Sequence, residues 1–135
     1  MRQQFLLDIN ICVHIIQQRP PGVRARFGAQ PPGSLAVSAV TEAELIYGAY
    51  KSQRSEHNLD AVLAFVSLMA VLPFDSRVTD TYGRVRALLE RAGTPIGPLD
   101  LQIAATGLAH GLPVVTNNVR EFARVPGLQV ENWAE

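Results

Sequence analysis

The chain has 135 residues, with 12 basic and 12 acidic side chains, so its formal net charge is zero. That length suits one domain with a real core and is too short for two. Zero net charge excludes a bulk electrostatic pull toward nucleic acid, and 47% hydrophobic content argues against disorder.

Lys51 is the only lysine; every other basic residue is arginine. Cys12 stands alone in an apolar stretch, so an intramolecular disulfide is impossible and it reads as a small buried hydrophobe. His14, His57 and His110 are scattered, with no zinc spacing, and read as structural or solvated. Arg2 is not followed by a long apolar region, so the N-terminus does not read as a secretory signal. No run approaches the roughly 20 apolar residues that cross a bilayer. A cytoplasmic protein is expected.

In chain order, FLLD (5–8) reads as a short buried strand. NICVHIIQQ (10–18) reads as a helix ended by RPPG (19–22), and VRARF adds a helical turn. GAQPPGS (28–34) is a loop and LAVS (35–38) a second strand. Helices follow over 41–52, with Thr41 as N-cap, and over 55–70. VLPF (71–74) is a strand. A long amphipathic helix over 75–93 is capped by Asp75 or Ser76 and ended by Gly93. After the rigid loop TPIGP come a helix (99–111), the strand LPVVT (112–116), a short helix (118–124) and an edge strand in LQVENW. Such alternation predicts an α/β fold, a largely parallel sheet with helices on both faces. Ligands in these sheets bind beyond the carboxyl ends of the strands.

Acidic residues collect at that predicted edge. Asp8 follows the first strand, Glu42 and Glu44 the second, and Asp100 opens the helix after TPIGP. Thr116, Asn117 and Asn118 follow LPVVT, with Glu121 one turn on. Each has a plain structural reading: Asp8 as a cap, Glu44 in a capping box with Thr41, Asp100 favoured by the helix dipole. Glu42 and Glu44 lie about 200° apart on a helix, so only one can face a site, and the helical wheel does not choose. Together the acids need a further explanation. Two like charges 4 Å apart repel by about 4 kcal/mol at an effective dielectric of 20. Gathering three carboxylates calls for a cation, and an oxygen-only donor set selects Mg²⁺ or Mn²⁺. A hard metal that keeps some of its waters suits phosphoryl chemistry.

The stretches LLDINICVHII, SAVTEAELIYGAYKS, GTPIGPLDLQIAA and VVTNNVREFARVPGLQVENW also resemble PIN-domain ribonuclease toxins of the VapC type, in family order over almost the whole chain. The resemblance implies a PIN domain, here a single one over residues 1–135, usually a homodimer. It implies Mg²⁺-dependent cleavage of RNA, often tRNA, and a small VapB-type antitoxin as partner. By position, Asp8 and Asp100 match the metal-binding aspartates and Glu44 the acid of the second motif. Asn118 falls where many relatives carry a fourth acid, which weakens that corner; Glu121 is a partial substitute. The expected catalytic set is Asp8, Glu44, Asp100 and Asn118. The family usually reads Asp-Thr-Asn at the first motif, whereas this chain reads Asp8-Ile9-Asn10. A hydroxyl at the site edge is thus replaced by hydrocarbon. The rival reading is a PIN-fold binding module that keeps its partner but cleaves poorly.

Overall fold

A computed structural model of the protein describes residues 3–17, 21–31 and 33–133. Five short strands form one parallel sheet: β1 (Phe5–Leu7), β2 (Leu35–Ser38), β3 (Ala70–Leu72), β4 (Val114–Val115) and β5 (Val130–Glu131), in the order β3-β2-β1-β4-β5. The helices are α1 (Ile9–Gln17), α2 (Pro21–Gly28), α3 (Ala39–Lys51), α4 (Ser55–Val66), α5 (Ser76–Arg91), α6 (Pro98–His110) and α7 (Val119–Phe122).

The central strands are apolar on both faces because both faces are covered. Side chains alternate across the sheet, so adjacent residues enter different cores. Leu7, Val37 and Val115 pack with Ile11, Ile15, Val62, Phe65 and Trp133 on one side. Leu6, Ala36 and Val114 pack with Val85, Leu89, Ile103 and Phe122 on the other. Cys12 is fully buried in the first cluster, as its sequence context predicts.

Two local features set the position of the later acids. Asp75 caps α5, its side chain accepting from the Val78 N–H, as expected. Helix α6 presses closely on β4 at Gly107, where an added Cβ would lie 2.8 Å from Val114 Cγ2. Only glycine fits there, and α6 ends at Gly111 in the left-handed conformation, φ 66°.

Several expected boundaries move. Helix α3 begins at Ala39, not Thr41, because Ser38 is the N-cap: its Oγ accepts from the Thr41 N–H at 3.0 Å. The Thr41–Glu44 capping box is therefore not formed, and Thr41 is buried. Helix α4 ends at Val66, so the apolar residues after it feed β3 instead of another helical turn. The break expected at RPPG lies partly outside the described residues, and the helical turn in VRARF extends to eight residues as α2.

Candidate active site

From β1 the chain continues to β2 and β3 on one side, then returns to β4 and β5 on the other. The reversal falls between β1 and β4, where an open α/β sheet leaves a crevice beyond its carboxyl edge. Asp8 follows β1 and Thr116 follows β4, so both sit at this crevice.

Asp8 is 2% exposed. Its Oδ1 accepts from the Ile11 N–H at 2.9 Å, capping α1. Its Oδ2 accepts from the Thr116 hydroxyl. That hydroxyl in turn accepts from the Asn118 N–H at 2.8 Å. The Asn118 amide then donates twice, to Asp100 Oδ2 at 3.1 Å and to Glu121 Oε2 at 2.9 Å. The other Glu121 oxygen accepts from the Gly97 N–H, which ties the turn before α6 to α7. A continuous hydrogen-bonded chain thus joins Asp8, Thr116, Asn118, Asp100 and Glu121. It uses each group within its donor and acceptor capacity.

The charges are held against an electrostatic gradient. Burial pushes the Asp8 carboxyl up, opposed by its bonds from Thr116 and Ile11 and by the nearby His14. Asp100 is pushed up to about 6, first by burial and then by the carboxylates of Glu121 and Asp8. Glu121 goes the other way: the Gly97 N–H and then the Asn118 amide hold it below the usual carboxylate range. Cys12, buried behind Asp8, has its thiol pushed well up by burial and by the Asp8 charge. It is an inert core residue, not a nucleophile.

Glu44 lies apart from this chain of bonds. It lines a groove of about 290 Å³ with Ile9, Val13 and Ile16 of α1, Leu45 of its own helix and Val62 of α4. Glu42, in the first turn of α3, is not among the groove-lining residues. No three acidic, histidine or cysteine side chains among the described residues lie close enough together, as they stand, to hold a metal ion. The oxygen-only donor chemistry of Asp8, Asp100 and Glu121 nonetheless suits a hard divalent cation, which would offset the Glu121 and Asp8 charges that add to burial in raising the Asp100 carboxyl.

Comparison with known proteins decides the family. The PIN-domain profile matches residues 5–128. The tRNA(fMet)-specific endonuclease VapC of Shigella flexneri is 47% identical over 131 residues, covering 97% of this chain and 98% of that one. Ribonuclease VapC2 of Haemophilus influenzae is 39% identical over 130 residues, covering 96% and 98%. The chain belongs to the PIN-domain family, among its VapC ribonucleases. The DNA-bound VapBC complex of Salmonella typhimurium has the same fold, with a TM-score of 0.92 and 44% identity over 97% of this chain and 98% of that one.

Within this PIN domain, the fold unites Asp8, Asp100 and Asn118 with Glu121 in one hydrogen-bonded cluster and leaves Glu44 outside it, lining a groove that none of those four residues lines. Thr116 is the member that sequence reasoning under-weighted. Its signal was present: a hydroxyl two residues before Asn118, the spacing at which a Ser or Thr side chain caps its own backbone. Gly97 gave no such signal, because its contribution is a backbone N–H.

Proposed function

We propose that the chain is a VapC-type toxin, a Mg²⁺-dependent endoribonuclease that cuts tRNA, with the initiator tRNA named for its relative as the first substrate to test. It acts as one PIN domain in the cytoplasm, as a homodimer. The observation that carries this reading is the hydrogen-bonded chain from Asp8 through Thr116 and Asn118 to Asp100 and Glu121 at the sheet's switch point. Asp8 and Asp100 are the proposed metal ligands, Mn²⁺ being the alternative ion, with Glu44 and Asn118 completing the catalytic set.

A bound divalent cation supplies Lewis-acid stabilisation of the phosphate and a more acidic water for in-line attack. The protein's own contribution is positioning. Thr116 and the Ile11 N–H fix both oxygens of Asp8, so its carboxylate loses no orientation on loading. Asn118 holds Asp100 and Glu121 side by side. Glu121 takes the place of the fourth acid that Asn118 lacks. Glu44, with no hydrogen bond or ion pair among the described residues, is available to water or substrate on the groove side.

Solved relatives include VapBC complexes, which motivates a VapB-type antitoxin as partner. An apolar antitoxin segment would lie along the groove of Ile9, Val13, Ile16 and Val62, with an Arg or Lys reaching the carboxylates. No described helix is long and apolar enough to cross a membrane.

The test is incubation of the purified protein with bulk tRNA and with initiator tRNA, in Mg²⁺ and in EDTA. Cleavage in Mg²⁺ alone, lost in Asp8→Asn, is expected. Cleavage that persists in EDTA would overturn the metal-dependent reading.

A further inference from the structure

Helix α5 turns Arg84, Leu88 and Arg91 along one stripe, at i, i+4 and i+7. With Val85, Leu108 and Pro126 they line a groove of about 350 Å³. Leu88 is 45% exposed, so the groove has an uncovered aliphatic surface. Both charged side chains of the lining are guanidiniums, and no carboxylate lines it.

These two arginines are loosely held. Arg91 makes no hydrogen bond or ion pair among the described residues. Arg84 meets Asp80 at 3.7 Å in an exposed pair and Thr81 Oγ1 at 3.5 Å, contacts worth little in water. Three other exposed arginines are occupied, Arg86 by Glu90 at 3.0 Å, Arg77 by the Ala109 carbonyl and Arg124 by the Pro95 carbonyl, whereas Arg54 and Arg120 stand singly and line no groove with a second arginine among the described residues. A second copy of this chain docked about a two-fold axis over the groove would bring like guanidiniums together. An occupant with anionic charge and a flat apolar face fits better.

The groove is also tied to the catalytic edge from two directions. Arg91 precedes Gly97 by six residues, roughly 22 Å at full extension, and Pro126 follows Glu121 by five. A polymer cut at the acid cluster can therefore reach it.

We propose that this groove binds a nucleotide of the RNA substrate away from the cut bond, with phosphates on Arg84 and Arg91 and a base against Leu88 and Pro126. This deepens the ribonuclease reading and rests on it. The site would give the enzyme a grip on an extended RNA that the acidic crevice, repelling phosphate, cannot provide.

The test compares the full chain with Arg84→Ala/Arg91→Ala and Arg84→Lys/Arg91→Lys. Binding of intact tRNA is measured by fluorescence anisotropy across a salt series, each protein also carrying Asp8→Asn to prevent cutting. The alanine pair is expected to raise Kd about tenfold or more and to reduce the salt slope by about 1.5, with the lysine pair in between. In the cleaving proteins, KM for tRNA rises while a short oligoribonucleotide centred on the cut bond is cleaved as before. Unchanged Kd and salt slope would overturn the proposal. So would an altered sedimentation coefficient of the alanine pair, which would mark a subunit interface. If wild type binds tRNA through these arginines but cuts no RNA, the ribonuclease reading fails and the groove stands.

Discussion

At the β4 side of the crevice, Asp8 has both carboxylate oxygens bonded, and Asp100 and Glu121 share one amide. In α3, Glu44 has no hydrogen bond or ion pair among the described residues and lines an open groove with residues of α1 and α4. The first arrangement is fixed before anything binds. The second is left to be completed by water, metal, substrate or a partner's cation. Preorganised charge acts at no reorganisation cost during reaction, so the fixed side should set the rate. The open side should be where inhibition is easiest.

Breaking the fixed side outright gives the largest effect. Asp8→Asn and Asp100→Asn each keep shape and remove charge, and each is expected to reduce RNA cleavage to background while the circular dichroism spectrum is retained. Mg²⁺ affinity, followed by titration calorimetry, falls in both. Full cleavage by Asp100→Asn would remove that residue from the mechanism.

Loosening one side at a time sharpens the contrast. Thr116→Val leaves a buried Asp8 oxygen without its donor, at a stability cost of about 1–3 kcal/mol. Misplacing that carboxylate should also slow cleavage about 10- to 100-fold, and Thr116→Ser should restore both. Glu44→Gln should slow cleavage while leaving stability within about 0.5 kcal/mol, because no partner among the described residues is lost. Equal melting temperatures for Thr116→Val and wild type would show that the hydroxyl does not hold Asp8.

How much of this contrast was legible in the sequence follows from the kind of bond involved. The strands at Phe5–Leu7 and Leu35–Ser38 were readable because continuous apolar runs ending in polar residues mark central parallel strands. Asp8 and Asp100 were readable as acids at strand and helix boundaries. Ser38 as the cap of α3 was not, because Ser38 and Thr41 are both competent caps and tertiary burial of Thr41 decides between them. The Asp8–Thr116 bond joins residues 108 positions apart, and no local periodicity encodes it. The choice of Glu44 over Glu42 came only from the family resemblance; the structure adds that Glu44 lines the groove and Glu42 is not among its lining residues.

Electrostatic strain on the fixed side has its own signature in pH. Asp100 titrates in the folded chain at about 6, above its ordinary value of 3.8. The folded state therefore holds this proton more tightly than the unfolded state, and stability from this group is lost as pH rises from about 4 to 6. Asp100→Asn removes that dependence. In EDTA, its melting temperature should match wild type near pH 4 and exceed it near pH 7. With Mg²⁺ present the order at pH 7 should reverse, since wild type binds the metal more tightly and gains more stability from it. A constant difference across pH would show that Asp100 is not strained.

The smallest effect concerns Ile9, the departure from the family's Asp-Thr-Asn. A missing hydroxyl in contact with a charged group would cost roughly 1.5–3 kcal/mol, or about 10- to 150-fold in rate. Ile9, however, packs against both hydrophobic clusters and lines the groove shared with Glu44. The two oxygens of Asp8 are already bonded by Ile11 and Thr116, so residue 9 is not needed to orient that carboxylate. What a threonine there could still reach is a water or phosphate on the open side. Ile9→Thr is therefore expected to raise cleavage only a few-fold, well under the full cost of a lost charged hydrogen bond. It should also lower stability by about 1 kcal/mol through lost packing. Single-turnover cleavage at saturating Mg²⁺, with thermal melting alongside, measures both. A gain of 100-fold would mean that a hydroxyl at position 9 makes a full charged hydrogen bond in the transition state and that the open side, too, sets the rate.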